Sequence, residues 1–284
     1  MTNRIVKRLV HARATREGAG VTVHRTIGTP ALRNLDPFLM LDHFSSDDPN
    51  DYIAGFPDHP HRGFITLTYM LDGHMLHRDS MGNEGDLQAG GAQWMKAASG
   101  VIHSEMPQQT AGRMRGFQLW INLPASEKMS APAYQQFAAN EFPVYRGEGM
   151  SVTVLSGEYA GLQGPVIDTH TDIQYLDVRL QASHSFSDTL NADRAAFFYL
   201  FEGEAMLGGQ HLPGHTLVVP GDGDELLVTA GETGARFILV SGKPIGEPIK
   251  QYGPFVMNTP QEIDQAMADY QAGTLVQQGV SNTA

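Results

Sequence analysis

Two segments in the first half of the chain carry side chains that could bind a metal ion. They are His59-Pro60-His61 and His103-Ser104-Glu105. In a β-strand, side chains two residues apart point to the same face, so each segment can direct two ligand atoms to one point. Two such strands facing each other would supply three imidazoles and one carboxylate. That set suits a first-row divalent metal and leaves coordination positions open.

These residues also have simpler interpretations. Two neighbouring histidines can be surface residues, and His103 and Glu105 could form a buried hydrogen bond without any metal. Pro60 cannot donate to a strand ladder, so its segment should be an edge strand or the start of a strand. If a metal is present, Glu105 has two possible tasks. It can bind the metal, or an oxygen freed from the metal can take a proton from a bound molecule.

The remaining histidines form weaker patterns. His74 and His77 follow the Asp72-Gly73 turn, and we expect them to be exposed or hydrogen-bonded. His43, next to Asp42, could line the mouth of a pocket or cap a loop, and we expect the loop. His211 and His215 are four residues apart, which is the wrong spacing for one face of a strand, so they do not indicate a site.

Composition restricts both the chemistry and the partners. The chain has 284 residues and no cysteine, so disulfides, thiolate ligands and thiol nucleophiles are excluded. The net charge is −12 and no basic cluster occurs, which argues against direct binding to nucleic acid. The basic start of the chain lacks the apolar core of a signal peptide, and no apolar run approaches the roughly 20 residues of a membrane span. We therefore expect a cytoplasmic protein that does not interact with membranes.

Short apolar runs separated by glycine and aspartate predict an all-β fold of the sandwich or barrel type. The main predicted strands are Phe64–Leu71, Gln93–Lys96, Gly116–Asn122, Ser151–Ser156, Gln174–Gln181, Ala195–Glu202, Thr216–Pro220, Glu225–Thr229 and Ala235–Ser241.

Helical patterns are few. Ala133–Asn140 is predicted to be a short helix. A second helix is predicted from about Gln261 to Ala272, with Thr259 as N-cap, Pro260 in the first turn and Glu262 completing a capping box.

A weak internal repeat divides the chain into halves. Residues 69–73 resemble residues 199–203, each an apolar strand that runs into an acidic residue and glycine. The repeat suggests two similar β-barrels, in residues 1–132 and 133–284, the second including the C-terminal helix. Superposing the halves places Thr189 and Asn191 opposite the first histidine pair. We therefore predict a metal site only in the first barrel.

Several of these motifs occur together in one known family. The chain resembles pirins, members of the cupin superfamily, in order and spacing of motifs. The matching segments are Pro37–Asp42, His59–Phe64, Gly85-Asp86, Gln93–Met95, Gly100–Pro107, Gln118–Pro124 and Tyr252–Thr259. The resemblance implies a bicupin, two antiparallel jelly-roll barrels with one iron in the N-terminal barrel. It also implies that His59, His61, His103 and Glu105 are the metal ligands.

The resemblance leaves the function open between two classes. Some members resemble quercetin 2,3-dioxygenase, which opens the central ring of a flavonol with O2 and releases carbon monoxide. Others act as partners of transcription factors or metabolic enzymes. A third possibility is an isomerase or hydrolase, because one fold hosts many reactions.

We take the dioxygenase as the leading hypothesis. It implies a small aromatic substrate, O2 and Fe(II), although Mn, Ni, Co, Cu and Zn accept similar ligands. Glu105 would be the catalytic base. Barrel-strand residues predicted to line the substrate pocket are Phe38, Met40, Phe64, Trp94, Gln118 and Trp120. Two joined barrels already bury an interface, so we expect a monomer.

Overall fold

The computed structural model describes residues 2–276. The first twelve strands are β1 (Val6–His11), β2 (Arg13–Glu17), β3 (Val21–Arg25), β4 (Phe38–Ser46), β5 (Phe56–His61), β6 (Phe64–Asp72), β7 (Met75–Asp79), β8 (Glu84–Leu87), β9 (Ala92–Lys96), β10 (Val101–Pro107), β11 (Met114–Asn122) and β12 (Ala133–Phe137).

The later strands are β13 (Val144–Gly147), β14 (Met150–Ser156), β15 (Glu158–Tyr159), β16 (Leu162–Gln163), β17 (Gln174–Leu180), β18 (Ser185–Thr189), β19 (Ala195–Leu207), β20 (Gln210–Leu212), β21 (Thr216–Pro220), β22 (Glu225–Gly242), β23 (Lys250–Tyr252) and β24 (Phe255–Met257). Three short 3₁₀ helices cover Pro49–Asp51, Ala125–Glu127 and Ala139–Glu141, and helix α1 covers Pro260–Gln271.

The described residues form two compact units whose segments alternate along the chain. One unit contains residues 2–13, 29–37 and 140–244, and the other contains residues 14–28, 38–139 and 245–276. The predicted boundary at residue 132 had placed the start of the chain in the N-terminal barrel and the C-terminal helix in the second barrel. Strand β1 belongs with the second half of the chain because it pairs with β21. Helix α1 belongs with the unit that contains both predicted metal-binding segments.

The first unit is built on a nine-stranded antiparallel sheet with the order β1-β21-β19-β22-β17-β14-β13, to which β18 and β20 are added. One face of this sheet carries an apolar core. Its aromatic members Phe186, Phe198 and Phe237 pack with ring centroids 5.4 to 5.6 Å apart. Such tilted ring pairs add stabilisation beyond the apolar area that they bury.

The second unit contains a seven-stranded sheet and a four-stranded sheet. Their orders are β12-β9-β6-β11-β4-β3-β2 and β5-β10-β7-β8. Strand β6 reads Ile-Thr-Leu-Thr from residue 65, and all four side chains are buried. The face that presents Thr66 and Thr68 is turned toward the four-stranded sheet, since Thr68 reaches Glu105 of β10. The space between these two sheets is where the predicted ligands lie.

The all-β architecture with a short C-terminal helix is confirmed. Within residues 2–276 the strand pairing leaves the sheets open, so neither unit is a barrel closed by hydrogen bonds. The predicted strands Glu225–Thr229 and Ala235–Ser241 are parts of one long strand, β22. No helix among the described residues is long and apolar enough to cross a membrane.

One helix prediction is confirmed and one is wrong. Helix α1 has the predicted capping box, with Thr259 and Glu262 bonding reciprocally to backbone N–H groups. By contrast, the segment predicted as a helix at Ala133–Asn140 is strand β12 followed by a 3₁₀ turn. Strand β12 pairs with β9 along its whole length, so the available edge of β9 outweighs the local helical preference.

A buried lysine joins three segments of the second unit. Lys128 Nζ donates to the Gly63 carbonyl (2.7 Å), to Asn122 Oδ1 (2.6 Å) and to the Val256 carbonyl (3.0 Å). Burial is the main influence on this amine and lowers its pKa to about 8. The charged form is favoured by its three acceptors and by the nearby negative charges of Glu247 and Glu262.

This pKa predicts a specific dependence of stability on pH. Between pH 8 and 10.5 the unfolded chain holds a proton on Lys128 that the folded chain has released. Stability rises with pH wherever the unfolded state binds more protons. The free energy of unfolding of the wild-type protein should therefore rise from pH 8 to 10.5, relative to that of the Lys128→Met variant. The rise should be on the order of 3 kcal/mol.

Denaturant unfolding at several pH values would measure this difference. The exposed Lys250, replaced by Met, is the matched control and should keep the wild-type profile. A constant difference between wild type and Lys128→Met from pH 7 to 10.5 would contradict the lowered pKa.

Candidate metal centre

Three histidine rings converge where β5 pairs with β10. His59 lies directly opposite His103, and His61 lies two residues further along β5. The ring centroids are 4.3 to 4.9 Å apart, and one nitrogen from each ring lies within 4.8 Å of the other two. Pro60 is on an edge strand of the four-stranded sheet, as predicted. The i, i+2 spacing thus brings His59 and His61 to the same side of β5.

The backbone selects which nitrogen of His59 is available. Its Nδ1–H donates to the Pro57 carbonyl at 2.8 Å. This bond favours the tautomer in which Nε2 carries the free lone pair. It also fixes the orientation of the ring, as a hydrogen bond to the second nitrogen of a metal-binding histidine usually does. His59 is partly exposed, whereas His61 and His103 are buried.

Both buried rings have unsatisfied nitrogens. Among the residues that the structure describes, none hydrogen-bonds to either nitrogen of His61 or His103 with normal geometry. The Pro254 carbonyl lies near His61, but it accepts a bond from the Arg62 backbone N–H. Leaving a buried polar group unpaired costs about 1–3 kcal/mol. A metal ion bound by one nitrogen of each ring would relieve part of this cost, so the residues fit the metal that the sequence motifs imply.

Electrostatics favour the ligating form of these rings. Burial lowers the pKa of His61 well below the usual range, and the nearby His59 lowers it further. Burial also lowers the pKa of His103, with added effects of His61, His59 and His77. Both imidazoles are therefore neutral at pH 7, the form that offers a lone pair to a metal.

Glu105, the fourth predicted ligand, is held by polar neighbours. Its Oε1 accepts a bond from Thr68 Oγ1 at 3.0 Å, and its Oε2 accepts one from Gln118 Nε2 at 3.1 Å. Thr68 Oγ1 is also 2.6 Å from Gln118 Oε1, so its single hydroxyl proton is shared between these two acceptors in a three-membered network. The group of mutually close ligand atoms contains the three histidines without Glu105. A carboxylate has about four lone-pair sites, so two remain for a proton or a metal.

The predicted pocket residues are divided between two faces of the seven-stranded sheet. Phe64 and Trp120 lie on the site face, with ring centroids 5.0 and 5.2 Å from that of His61. Met40 is directly opposite Trp120 and shares that face. Trp94 is opposite Leu67, next to Thr66 and Thr68 in β6, so it points to the other face.

Further positions follow from the same register. Phe38 is buried at the start of β4, beyond a bulge, opposite Ile121. Two residues absent from the sequence prediction, Gln93 and Met95, are opposite Thr68 and Thr66 and share the site face. The alternation of side chains in β9 could have shown that Trp94 and its two neighbours point to opposite faces of the sheet. Only the pairing of β9 with β6 decides which of these faces is turned toward the site.

A second polar group lies behind His103. His77 is buried, is paired in register with Glu105, and has its ring 5.3 Å from that of His103. Its Nε2 is 3.2 Å from Asp79 Oδ2, and its ring stacks on Tyr134 at 4.8 Å. His74 is partly exposed and bonds to Asp86, so both residues match the expectation of exposed or hydrogen-bonded histidines.

His43 was expected in a loop, and this is wrong. It lies within β4, is buried, and stacks on Phe117 with ring centroids 4.8 Å apart. The pairing of β4 with β3 and β11 accounts for its burial.

Sequence reasoning missed the part played by Arg62. This buried residue follows His61 directly. Its guanidinium donates to the Ser99 carbonyl at 2.6 Å and to Asp269 of α1 at 2.7 Å. Gly63, at φ +90°, lies so close to the Val256 carbonyl that a side chain would collide with it. The C-terminal segment is thus tied to the backbone that carries His61. The His-Arg-Gly sequence was the only available signal.

Comparison with known proteins identifies the family. Residues 20–121 match the pirin family, and residues 175–276 match the pirin C-terminal cupin domain. The chain is 47% identical over 275 residues to a pirin-like protein from Caulobacter vibrioides, covering 96% of this chain and 99% of that one. The chain belongs to the pirin family. The resemblance inferred from the motifs is confirmed.

Solved structures support the bicupin fold of this pirin. The crystal structure of quercetin 2,3-dioxygenase from Acinetobacter baumannii matches it with a TM-score of 0.89 and 29% identity, over 96% of this chain and 98% of that one. A pirin from Escherichia coli in complex with nickel(II) matches with a TM-score of 0.66 and 21% identity, over 84% and 98% of the two chains. The latter likeness concerns the fold alone.

Proposed function

We propose that this pirin is a metal-dependent dioxygenase of the quercetin 2,3-dioxygenase type. The observation that carries the proposal is a set of three converging histidines, two of them buried with unpaired nitrogens and lowered pKa values, beside a carboxylate with free lone pairs. The A. baumannii structure that shares this fold is named for that activity. The substrate class is a small aromatic compound with adjacent hydroxyl and carbonyl oxygens, as in a flavonol, together with O2.

His59, His61 and His103 would hold the metal, with Fe(II) as our choice and other first-row divalent ions acceptable to the same donors. When bound, the metal supplies Lewis acidity and open coordination positions for the substrate oxygens and O2. Glu105 has lone pairs left to join as a fourth ligand. A ring-opening reaction of this type inserts both oxygen atoms of O2 into the flavonol and expels one ring carbon as carbon monoxide.

We assign to Glu105 the removal of the proton from the substrate hydroxyl. The contacts with Thr68 Oγ1 and Gln118 Nε2 hold the carboxylate in one orientation. A fixed base within reach of the substrate hydroxyl contributes both general-base catalysis and positioning. After the proton moves, the substrate anion is the electron-rich form that reacts with O2.

The aromatic side chains near His61 would orient the substrate. Phe64 and Trp120 contact each other with ring centroids 4.2 Å apart and present an apolar wall beside that ligand. Such a wall binds a planar aromatic molecule and excludes water from the reacting atoms. Met40 extends this wall along β4, whereas Trp94 is left out because it points to the opposite face.

The test is anaerobic loading of the intact protein with Fe(II), followed by quercetin and O2. We expect O2 uptake with release of carbon monoxide in equal amounts, and both should be abolished in His61→Ala. The matched control is His74→Ala, which removes a partly exposed histidine outside the centre. Stoichiometric metal binding without O2 uptake would overturn the dioxygenase. It would instead favour a regulatory protein that binds a transcription factor or a metabolic enzyme.

A further inference from the structure

A cavity unrelated to the histidine centre lies in the first unit. Its volume is about 350 Å³. It is formed on strands β13, β14, β17 and β22 of the nine-stranded sheet. The lining residues are Val144, Arg146, Ser151, Thr153, Asp177, Arg179 and Arg236. Three of the seven are arginines, and two more offer hydroxyl groups.

The strand register places the arginines in one row. Arg146 is directly opposite Ser151, Ser151 is opposite Arg179, and Arg179 is opposite Arg236. Directly opposite residues share a face of the sheet, so the whole row projects to the side of the cavity. With neighbouring strands about 4.8 Å apart, the backbones at Arg146 and Arg179 are roughly 10 Å from each other. The Ser151 hydroxyl lies between them.

The charges in this row are only partly compensated. Arg236 forms a two-pronged ion pair with Asp177, at 3.0 and 2.7 Å, and lies 3.6 Å from Glu202. Arg146 and Arg179 have no ion-pair partner among residues 2–276, and both are exposed. Like charges placed directly opposite on adjacent strands destabilise a sheet. Two uncompensated arginines beside a third are notable in a chain with a net charge of −12 and only 19 basic residues.

We propose that this cavity binds a small dianion, either a phosphate group or a dicarboxylate, between Arg146 and Arg179. The planar guanidinium presents paired N–H donors that match the oxygens of both groups. Ser151 and Thr153 add hydroxyl donors from the floor of the cavity. Asp177 is held on Arg236, so its negative charge is directed to that side and the anion occupies the side of β13 and β14.

Calorimetric titration of the intact protein tests the site, with inorganic phosphate, pyrophosphate and succinate as probes at constant ionic strength. We expect saturable binding of at least one probe. Arg146→Gln and Arg179→Gln should each weaken it about tenfold or more, the loss expected for one charged hydrogen-bonding group. Tighter binding of phosphate or pyrophosphate identifies a phosphate site, whereas tighter binding of succinate identifies a dicarboxylate site.

The matched control is Arg8→Gln, which removes an exposed arginine from β1 of the same unit. It should leave the affinity unchanged. In the absence of anion, Arg179→Gln should also unfold at an unchanged or higher temperature, because the change removes a like-charge contact. No saturable binding, or an equal loss of affinity in Arg8→Gln, would overturn the proposal.

Discussion

Replacing His103 by alanine should lower the affinity for Fe(II) on the order of a hundredfold or more. Outer partners of a metal ligand are worth 10- to 100-fold in affinity, and a direct ligand contributes at least as much. Of the three histidines, His103 alone lies on β10, and its ring is within 4.9 Å of both others. Its loss leaves two imidazoles on one strand. Anaerobic titration with Fe(II), read as bound metal per chain, measures the change.

The variant must be shown to be folded before the loss is assigned to ligation. Circular dichroism should retain the strand signal, since His103 has no hydrogen bond within the described residues that its removal would break. His74→Ala serves as the matched control, because His74 lies beside β7 of the same sheet and bonds only to nearby groups. A folded His103→Ala protein that binds Fe(II) with wild-type affinity would contradict the proposal that these three histidines hold the metal.

Glu105→Gln should keep the bound metal while it lowers kcat by about 10²- to 10⁴-fold, the usual contribution of a general base. The amide has the same shape and can still accept a bond from Thr68. It can no longer take a proton at neutral pH. Steady-state carbon monoxide release, normalised to bound iron, separates this effect from metal loss. A fall in kcat with little change in KM is expected if substrate binding does not depend on this carboxylate.

Two further variants make the result specific. Gln118→Ala removes one donor to Glu105 and should have a smaller effect than the loss of the base itself. Glu127→Gln, which removes a carboxylate paired with Lys96 outside the centre, should leave kcat unchanged. Wild-type turnover in an iron-loaded Glu105→Gln protein would reject Glu105 as the base and leave the three histidines unaffected.

Local patterns determined part of this protein from sequence alone. The period of two in the apolar runs predicts strands, and it gives the shared face of His59 and His61 without knowledge of any partner strand. The capping box at Thr259 and Glu262 likewise depends on residues three apart, so the start of α1 was predictable. The family motifs identified the pirin fold because their order and spacing are properties of the chain itself.

Other features depended on which strands became neighbours. Ala133–Phe137 is a strand because β9 offers it an edge, and His43 is buried because β3 and β11 flank it. Trp94 and Gln93 are adjacent in sequence, but pairing with β6 directs only Gln93 to the site face. A shift of one residue in register would exchange them, and nothing local to β9 sets that register.

The pairing of distant strands also decided the detailed chemistry of the metal centre. The sequence presents Glu105 as one more ligand, whereas the fold surrounds it with Thr68 and Gln118 and leaves the three histidines as the tight group. It also ties His61 to helix α1 through Arg62 and Asp269, which are far apart in the chain. Residue types and spacing thus determined which atoms could bind a metal. Long-range strand pairing decided which of them meet, because contacts between distant segments exist only after the backbone has folded.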